Sequence, residues 1–177
     1  EGNYRGYGIK GLWIPSYGAI TIQALHILEE YAESKDLQSN RDWGEAIYNS
    51  IKSAYLDRRV QKSLEDANKF TSKEYAKEKV RQVINPQVEI DKLMPYAFTL
   101  PNGHTTHLTV VDKNGMIVAL TQTVGTTMGS KVATPGLGFV YAQTLGGYLG
   151  EVKARDRASS HISPMIISKD NEPILAL

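Results

Sequence analysis

Residues 103–107 read Gly-His-Thr-Thr-His, and two adjacent threonines beside histidine invite a chemical question. A threonine hydroxyl is a weak nucleophile until a base takes its proton, and a threonine at a chain N-terminus carries a base with it, its own α-amine. That amine titrates at about 8, close enough to neutrality to exchange a proton with Oγ. An internal threonine has no such amine. The chemistry therefore requires a cut just before the nucleophile, most simply by attack of that hydroxyl on the preceding carbonyl. The bond this selects is His104–Thr105. Threonine is also β-branched and common in strands for packing reasons alone, so an ordinary strand and a latent N-terminus both stand at this point.

The surrounding pattern says what would position these residues. In "TTHLTVVD", Thr105, His107, Thr109 and Val111 share one face of a strand, and Thr106, Leu108, Val110 and Asp112 share the other. "KNG" supplies a turn and "MIVALTQTV" an apolar return strand, together a β-hairpin. Pairing about Asn114-Gly115 brings Thr105 and Thr123 to the same end, where two hydroxyls could hydrogen-bond. Upstream, the first 100 residues read as mostly helical. "GAITIQALHILEEYAESK" places Ile20, Ala24, Ile27, Leu28 and Tyr31 on one face, and "RDWGEAIYNSIKSAYLDRRV" repeats this with Trp43, Ile47, Ile51 and Ala54. A third helix is expected from a capping box at Thr71 and Glu74 to Asn85-Pro86. Before these, "YRGYGIKGLWIPSYG" suits a short strand leading into a turn. Downstream come a glycine-rich loop, a short run "GFVYAQ", and a second hairpin about Asp170-Asn171. Helices followed by antiparallel strands predict an α+β layered domain.

Composition narrows the function classes. The 177 residues carry 20 Lys plus Arg against 19 Asp plus Glu, a net charge of +1, without the clustered basic surplus of a nucleic-acid binder. No cysteine is present, which excludes disulfides, thiolate metal sites and a cysteine nucleophile without choosing a compartment. No apolar run approaches bilayer-spanning length. "GTTMGSK" (125–131) resembles a phosphate loop only superficially: three residues, not four, separate its glycines, and serine precedes the lysine. His104 and His107, three apart on a strand, point to opposite faces and cannot share a metal. His26 and His161 are isolated, and His26 reads as a structural histidine. There is no G-x-S-x-G elbow. The chain starts at Glu1 and stops within the strand-like "PILAL", which suggests a segment of a longer protein.

Taken together, "TTHLTVVDKNGMIVALTQT" closely resembles the start of the small subunit of γ-glutamyltransferases (γ-glutamyltranspeptidases), members of the N-terminal nucleophile hydrolase superfamily. "YRGYGIKGLWIPSYGAITIQALHILEEY" resembles the family's large-subunit segment, and "YLDR", "GLGF" and "RASSHISPMIISKD" extend the likeness over most of the chain. The resemblance implies an αββα sandwich. It divides the chain into 1–104, the end of the large-subunit region, and 105–177, the start of the small-subunit region, sharing one domain. It implies Thr105 as nucleophile after cleavage between His104 and Thr105, and Thr123 as the residue orienting its hydroxyl. Ser159 and Ser160 match a serine pair that contacts the substrate α-carboxylate. The expected function is transfer of an acyl group, γ-glutamyl or similar, from a small-molecule amide to water or an amine. No metal or organic cofactor, nucleic acid or membrane is implied.

Three positions depart from the family pattern. Gly125 stands where the family has asparagine, Thr144 at a glutamine position and Gly147 at an aspartate position. Those side chains help hold the glutamyl α-amino and α-carboxylate groups. Removing one member of a buried charge pair costs about 3–5 kcal/mol, so loss of the carboxylate at 147 weakens recognition of a substrate ammonium. Gly125 and Gly147 are expected to enlarge the pocket while removing polar anchors. Two alternatives follow. One is an amide acylase of non-glutamyl specificity. The other is a non-catalytic relative that binds a ligand or partner, against which retention of Thr105, His107 and Thr123 argues. The family's oxyanion-hole glycines and an upstream substrate arginine would fall past Leu177 and before Glu1.

Overall fold

The computed structural model describes residues 1–84, 103–144, 153–155, 157 and 160–177. Its elements run β1 (Gly2–Tyr4), β2 (Tyr7–Gly11), α1 (Gly18–Ser34), α2 (Asn40–Asp57), α3 (Leu64–Phe70), α4 (Lys73–Ile84), β3 (Gly103–Val111), β4 (Ile117–Thr126), β5 (Met165–Lys169) and β6 (Glu172–Ala176). The strands form two antiparallel sheets, one ordered β1-β2-β5-β6 and one made of β3 and β4. The chain is thus α+β, as its pattern of helices and hairpins predicts.

The larger sheet joins the two ends of the sequence. Where one N-terminal strand is expected, there is a hairpin, turned at Arg5 and Gly6, both at positive φ. Its second strand pairs with the C-terminal hairpin through Gly8↔Ser168 and Gly11↔Met165. That hairpin turns at Asp170 and Asn171, again both at positive φ, a geometry short polar side chains tolerate. The strands of this sheet therefore come from both sides of Thr105. The run "GFVYAQ" does not become a strand of its own. It contributes one bridge, Ala133↔Val140.

Helix α1 is the shared element of two cores. Ile27 and Tyr31 pack with Ala46 of α2 and Ala76 and Val80 of α4, while Ile22 packs with Ile9 and Met165 of the sheet. Each such fully buried aliphatic side chain contributes about 1.5–3 kcal/mol. Burial on two sides explains why Ile22, Gln23 and His26 are buried along with the expected Ile20, Ile27 and Tyr31. At its start, Gly18 lies against the backbone of Gly11 and Leu12 so closely that a Cβ would overlap Leu12. The His26 ring is held between two backbone carbonyls, its Nδ1 2.7 Å from that of Thr71 and its Nε2 2.8 Å from that of Asn3.

Helix α2 turns a different face inward from the one its large side chains suggest. Ala46, Ser50, Ser53, Ala54 and Asp57 are buried, and Ile47 and Ile51 are exposed. Small side chains allow α2 to approach α1 closely, and a polar network replaces an apolar seam. Asp57 accepts from Gln23 Nε2 at 2.6 Å, Tyr75 Oη at 2.9 Å and Lys79 Nζ at 2.9 Å, and Gln61 donates to Gln23 Oε1 at 2.7 Å. Buried charge is tolerable only when paired and hydrogen-bonded in this way. Burial, and next the bond to Asp57, push the Tyr75 phenol well above its ordinary value.

The helix starts follow capping chemistry, with one shift. Ser39 and Asp42 form a capping box on α2, and Ser63 and Asp66 form another on the short α3, which periodicity missed. On α4 the cap is Ser72, whose Oγ accepts the Tyr75 N–H at 3.2 Å. Thr71, the expected cap, instead ends α3 and donates to the Ala67 carbonyl at 2.7 Å. The expected end of this helix at Asn85-Pro86 lies outside the described residues.

Candidate active site

The β3–β4 hairpin is set by its turn. Asp112 and Met116 pair through the Asp112 N–H and Met116 carbonyl at 3.0 Å, and Gly115 donates to the Asp112 carbonyl at 3.1 Å. The Asp112 carboxylate accepts the N–H groups of Asn114 and Met116, both at 2.8 Å, and Gly115 takes φ +85°. This is an Asp-anchored turn closed by a left-handed glycine, and it fixes the register of everything above it. Thr109 opposes Ala119, His107 opposes Thr121, and Thr105 opposes Thr123. Directly opposed side chains on one face have Cβ atoms about 4.5–5.5 Å apart.

The ladder changes register at one place, between His104 and Thr105. His104 opposes Gly125 while Thr105 opposes Thr123, leaving Val124 as an extra residue. Such bulges kink a strand and re-aim its side chains. Here the irregularity faces the peptide bond that nucleophile chemistry selects. On the same face as Thr105, the His107 ring lies 2.7 Å from Thr121 Oγ1 and 3.0 Å from Thr109 Oγ1. Neighbouring hydroxyls thus hold the ring in place.

Thr123 Oγ1 accepts the Gly125 N–H at 3.0 Å. Gly125 is held at φ +85°, and a Cβ there would stand 2.5 Å from the Gln143 carbonyl oxygen and 3.5 Å from Thr144 Cγ2. The Gln143 N–H in turn donates to the Val124 carbonyl at 2.8 Å. The structure therefore gathers Thr105, Thr123, Gly125 and Thr144 at one end of the hairpin. The expectation that Gly125 opens space is corrected: backbone from residue 143 fills the position a side chain would take. Gly147 and Ser159 lie outside the described residues.

Ser160 stands in a second group, at the start of α1. Its N–H donates to the Pro15 carbonyl at 3.1 Å, and the Tyr17 N–H donates to the Ile162 carbonyl at 3.3 Å. Ser160 Oγ accepts the Ile162 N–H at 3.1 Å, and Thr21 Oγ1 lies 3.2 Å from Ser163 Oγ. Sequence reasoning missed Arg58 in this group. Its Nη2 donates to the carbonyls of Pro15 at 3.2 Å and Ser160 at 3.4 Å, and its guanidinium lies 4.5 Å from the Tyr17 ring centroid. The His161 ring packs against the same Tyr17, with ring centroids 4.8 Å apart. Burial, and then the Arg58 cation, hold the His161 pKa below its ordinary value. The signal for Arg58 was its place in the "YLDR" run that the resemblance includes.

Among the described residues, no cluster of three or more His, Asp or Glu is placed to hold a metal ion, and no helix is long and apolar enough to cross a membrane.

Comparison with known proteins adds a lineage to this geometry. The gamma-glutamyltranspeptidase family profile matches residues 1–177. A glutathione hydrolase proenzyme of Escherichia coli (strain K12) is 34% identical over 97% of this chain and 34% of its own length. A glutathione hydrolase proenzyme of Pseudomonas sp. (strain A14) is 27% identical over 100% of this chain and 35% of its own. An acylase ACY 1 proenzyme of Pseudomonas sp. (strain SE83) is 28% identical over 100% of this chain and 34% of its own. The chain spans about a third of the length of the curated relatives it matches.

Proposed function

This chain belongs to the gamma-glutamyltranspeptidase family, and from that premise we propose that its protein is a self-cleaving, threonine-nucleophile acyltransferase. In the unprocessed chain, Thr105 Oγ attacks the His104 carbonyl carbon. As the acyl group moves to Oγ the C–N bond breaks, so the amide becomes an ester and the Thr105 α-amine is freed; water then hydrolyses that ester, restoring the hydroxyl and leaving a carboxylate on His104. Residues 1–104 then close a large subunit, and residues from 105 open a small one. Both contribute to a single αββα sandwich. The names of the relatives, all proenzymes, support a precursor of this kind.

In the mature protein, Thr105 Oγ attacks the carbonyl of a donor amide while its own α-amine accepts the hydroxyl proton. The amine passes that proton to the departing nitrogen, leaving an acyl ester on Thr105. Water or an acceptor amine then takes the acyl group and restores the hydroxyl. Thr123 donates to Oγ and keeps it in line, and the serine segment at 159–160 receives the donor's carboxylate. One observation carries the proposal: Thr105 and Thr123 oppose each other immediately past a register shift at the His104–Thr105 bond.

A γ-glutamyl donor is the first substrate class. A non-glutamyl acyl amide is the second, and Gly125 favours it. Its positive φ and the Gln143 carbonyl beside it leave no room for the asparagine that reads glutamate in the resemblance. A panel of γ-glutamyl, glutaryl and simple acyl anilides, tested on the full-length protein, separates them. The γ-glutamyl anilide turned over fastest supports the first; a faster glutaryl or acyl anilide supports the second. Turnover that persists in Thr105→Ala contradicts both.

A further inference from the structure

Arg58 is a half-buried cation with no role in the chemistry above, yet it has the most specific set of contacts around Ser160. It follows Asp57, which three side chains on two helices tie in place, Gln23 of α1 and Tyr75 and Lys79 of α4, with Gln61 bonded in turn to Gln23. That network fixes the end of α2 and so the root of the arginine side chain. From there Nη2 reaches two carbonyls that are remote in sequence, Pro15 and Ser160. Pro15 also accepts the Ser160 N–H, so two donors, Arg58 Nη2 and the Ser160 N–H, converge on one backbone oxygen. The Tyr17 ring lies beneath the guanidinium, an arrangement that favours a planar cation and restricts its rotation.

Ser160 is thus held by its N–H and its C=O, while its Oγ accepts from Ile162 and keeps its O–H as a donor. A carboxylate arriving at that hydroxyl also meets the positive charge of Arg58 close by, in a partly buried setting where charge is weakly screened.

We propose that Arg58 is a positioning residue for donor binding, holding Ser160 where its hydroxyl meets the donor's carboxylate. This rests on the acyl-transfer function proposed above. A staple that merely joined α2 to the 160–163 segment would weaken the fold for every substrate alike. A positioning residue acts on donors that carry the carboxylate.

The test uses the full-length protein as wild type, Arg58→Ala, Arg58→Lys and, as a control on the exposed neighbour, Arg59→Ala. Self-cleavage is followed by intact mass. KM and kcat are measured on a γ-glutamyl anilide and on the same anilide with its α-carboxylate methylated. Arg58→Ala should cleave normally and raise KM for the carboxylate donor about tenfold or more, as loss of a charged hydrogen-bonding group does. Its kcat should change little, and the methyl ester should be unaffected. Arg58→Lys should recover part of the loss, since an ammonium keeps the charge and reaches one carbonyl. An unchanged KM, or an equal loss on both donors, overturns the proposal. If Arg58→Ala fails to cleave, the same comparison on Arg58→Lys decides it by the same criteria. If the wild type cleaves but turns over neither donor, the acyl-transfer reading fails, and calorimetry with glutamate judges Arg58 separately. Weaker glutamate binding in Arg58→Ala supports the proposal; equal binding, or none to the wild type, overturns it.

Discussion

Thr123 opposes Thr105 across the β3–β4 ladder, and its hydroxyl oxygen accepts the Gly125 N–H at 3.0 Å. That bond ties the Thr123 hydroxyl to the backbone at the end of the hairpin where Thr105 stands. If Thr123 orients the nucleophile, Thr123→Val, which keeps shape and strand propensity but removes the hydroxyl, should slow self-cleavage and turnover by roughly ten- to a hundredfold. Thr123→Ser should stay near wild type. The half-time of cleavage, read by mass spectrometry, checks this, and an unchanged half-time in the valine variant would contradict it.

Gly125 is constrained by conformation and by space together. Its φ of +85° disfavours any side chain, and the Gln143 carbonyl stands 2.5 Å from where a Cβ would be. Gly125→Ala should therefore lower stability by about 1–3 kcal/mol. Gly125→Asn should lose stability as well, without gaining preference for γ-glutamyl donors. Urea unfolding with the anilide panel measures both, and an asparagine variant of unchanged midpoint would count against this geometry.

The Asp112 carboxylate anchors the turn on which the Thr105–Thr123 register depends. Asp112→Ala should cost about 1 kcal/mol and should also slow self-cleavage, although the turn is at the far end of the hairpin from the cut. Asp112→Asn should be milder, because an amide oxygen can still accept. Stability falling with no change in cleavage rate would separate the turn from the chemistry.

His161 gives the fold a pH dependence. Burial and Arg58 hold its pKa below the ordinary 6.5, so the folded protein keeps the ring neutral where the unfolded chain protonates it. The unfolded state then binds more protons, and stability rises with pH in that interval. The contribution is complete above 6.5 and is lost as pH falls through that value toward the lowered one. His161→Gln should flatten the acid-side fall in melting temperature. His26, also lowered, by burial first and Lys73 second, leaves a residual slope of the same sign. An identical pH profile in the variant would contradict this account of His161.

Much of the β3–β4 hairpin was legible because its signals are local. Alternation fixed the faces, and a turn about Asn114-Gly115 brought Thr105 and Thr123 to the same end; the observed loop, centred on Asn114, sets them directly opposite. The hairpin at Asp170-Asn171 was legible for the same reason. Its pairing with β2 was not, since the partner lies some 150 residues away and periodicity carries no record of distant strands. Helix α2 misled because large side chains were assumed to mark the buried face. Close approach to α1 instead selected Ala46, Ser50 and Ala54, and the Asp57 network made a polar seam tolerable. Gly125 read as an emptied pocket, because a sequence does not show that residue 143 crosses there. Arg58 stood in the "YLDR" run, but nothing local to that run shows that Pro15 and Ser160 share its guanidinium.

The central claim is that the chain breaks before Thr105. The intact mass of the purified full-length protein under denaturing conditions, with N-terminal sequencing of the products, tests it most directly. Two fragments are predicted, one beginning Thr-Thr-His-Leu, and Thr105→Ala should yield a single chain. A wild-type protein that stays whole after prolonged incubation, or that is cut at another bond, would contradict the claim.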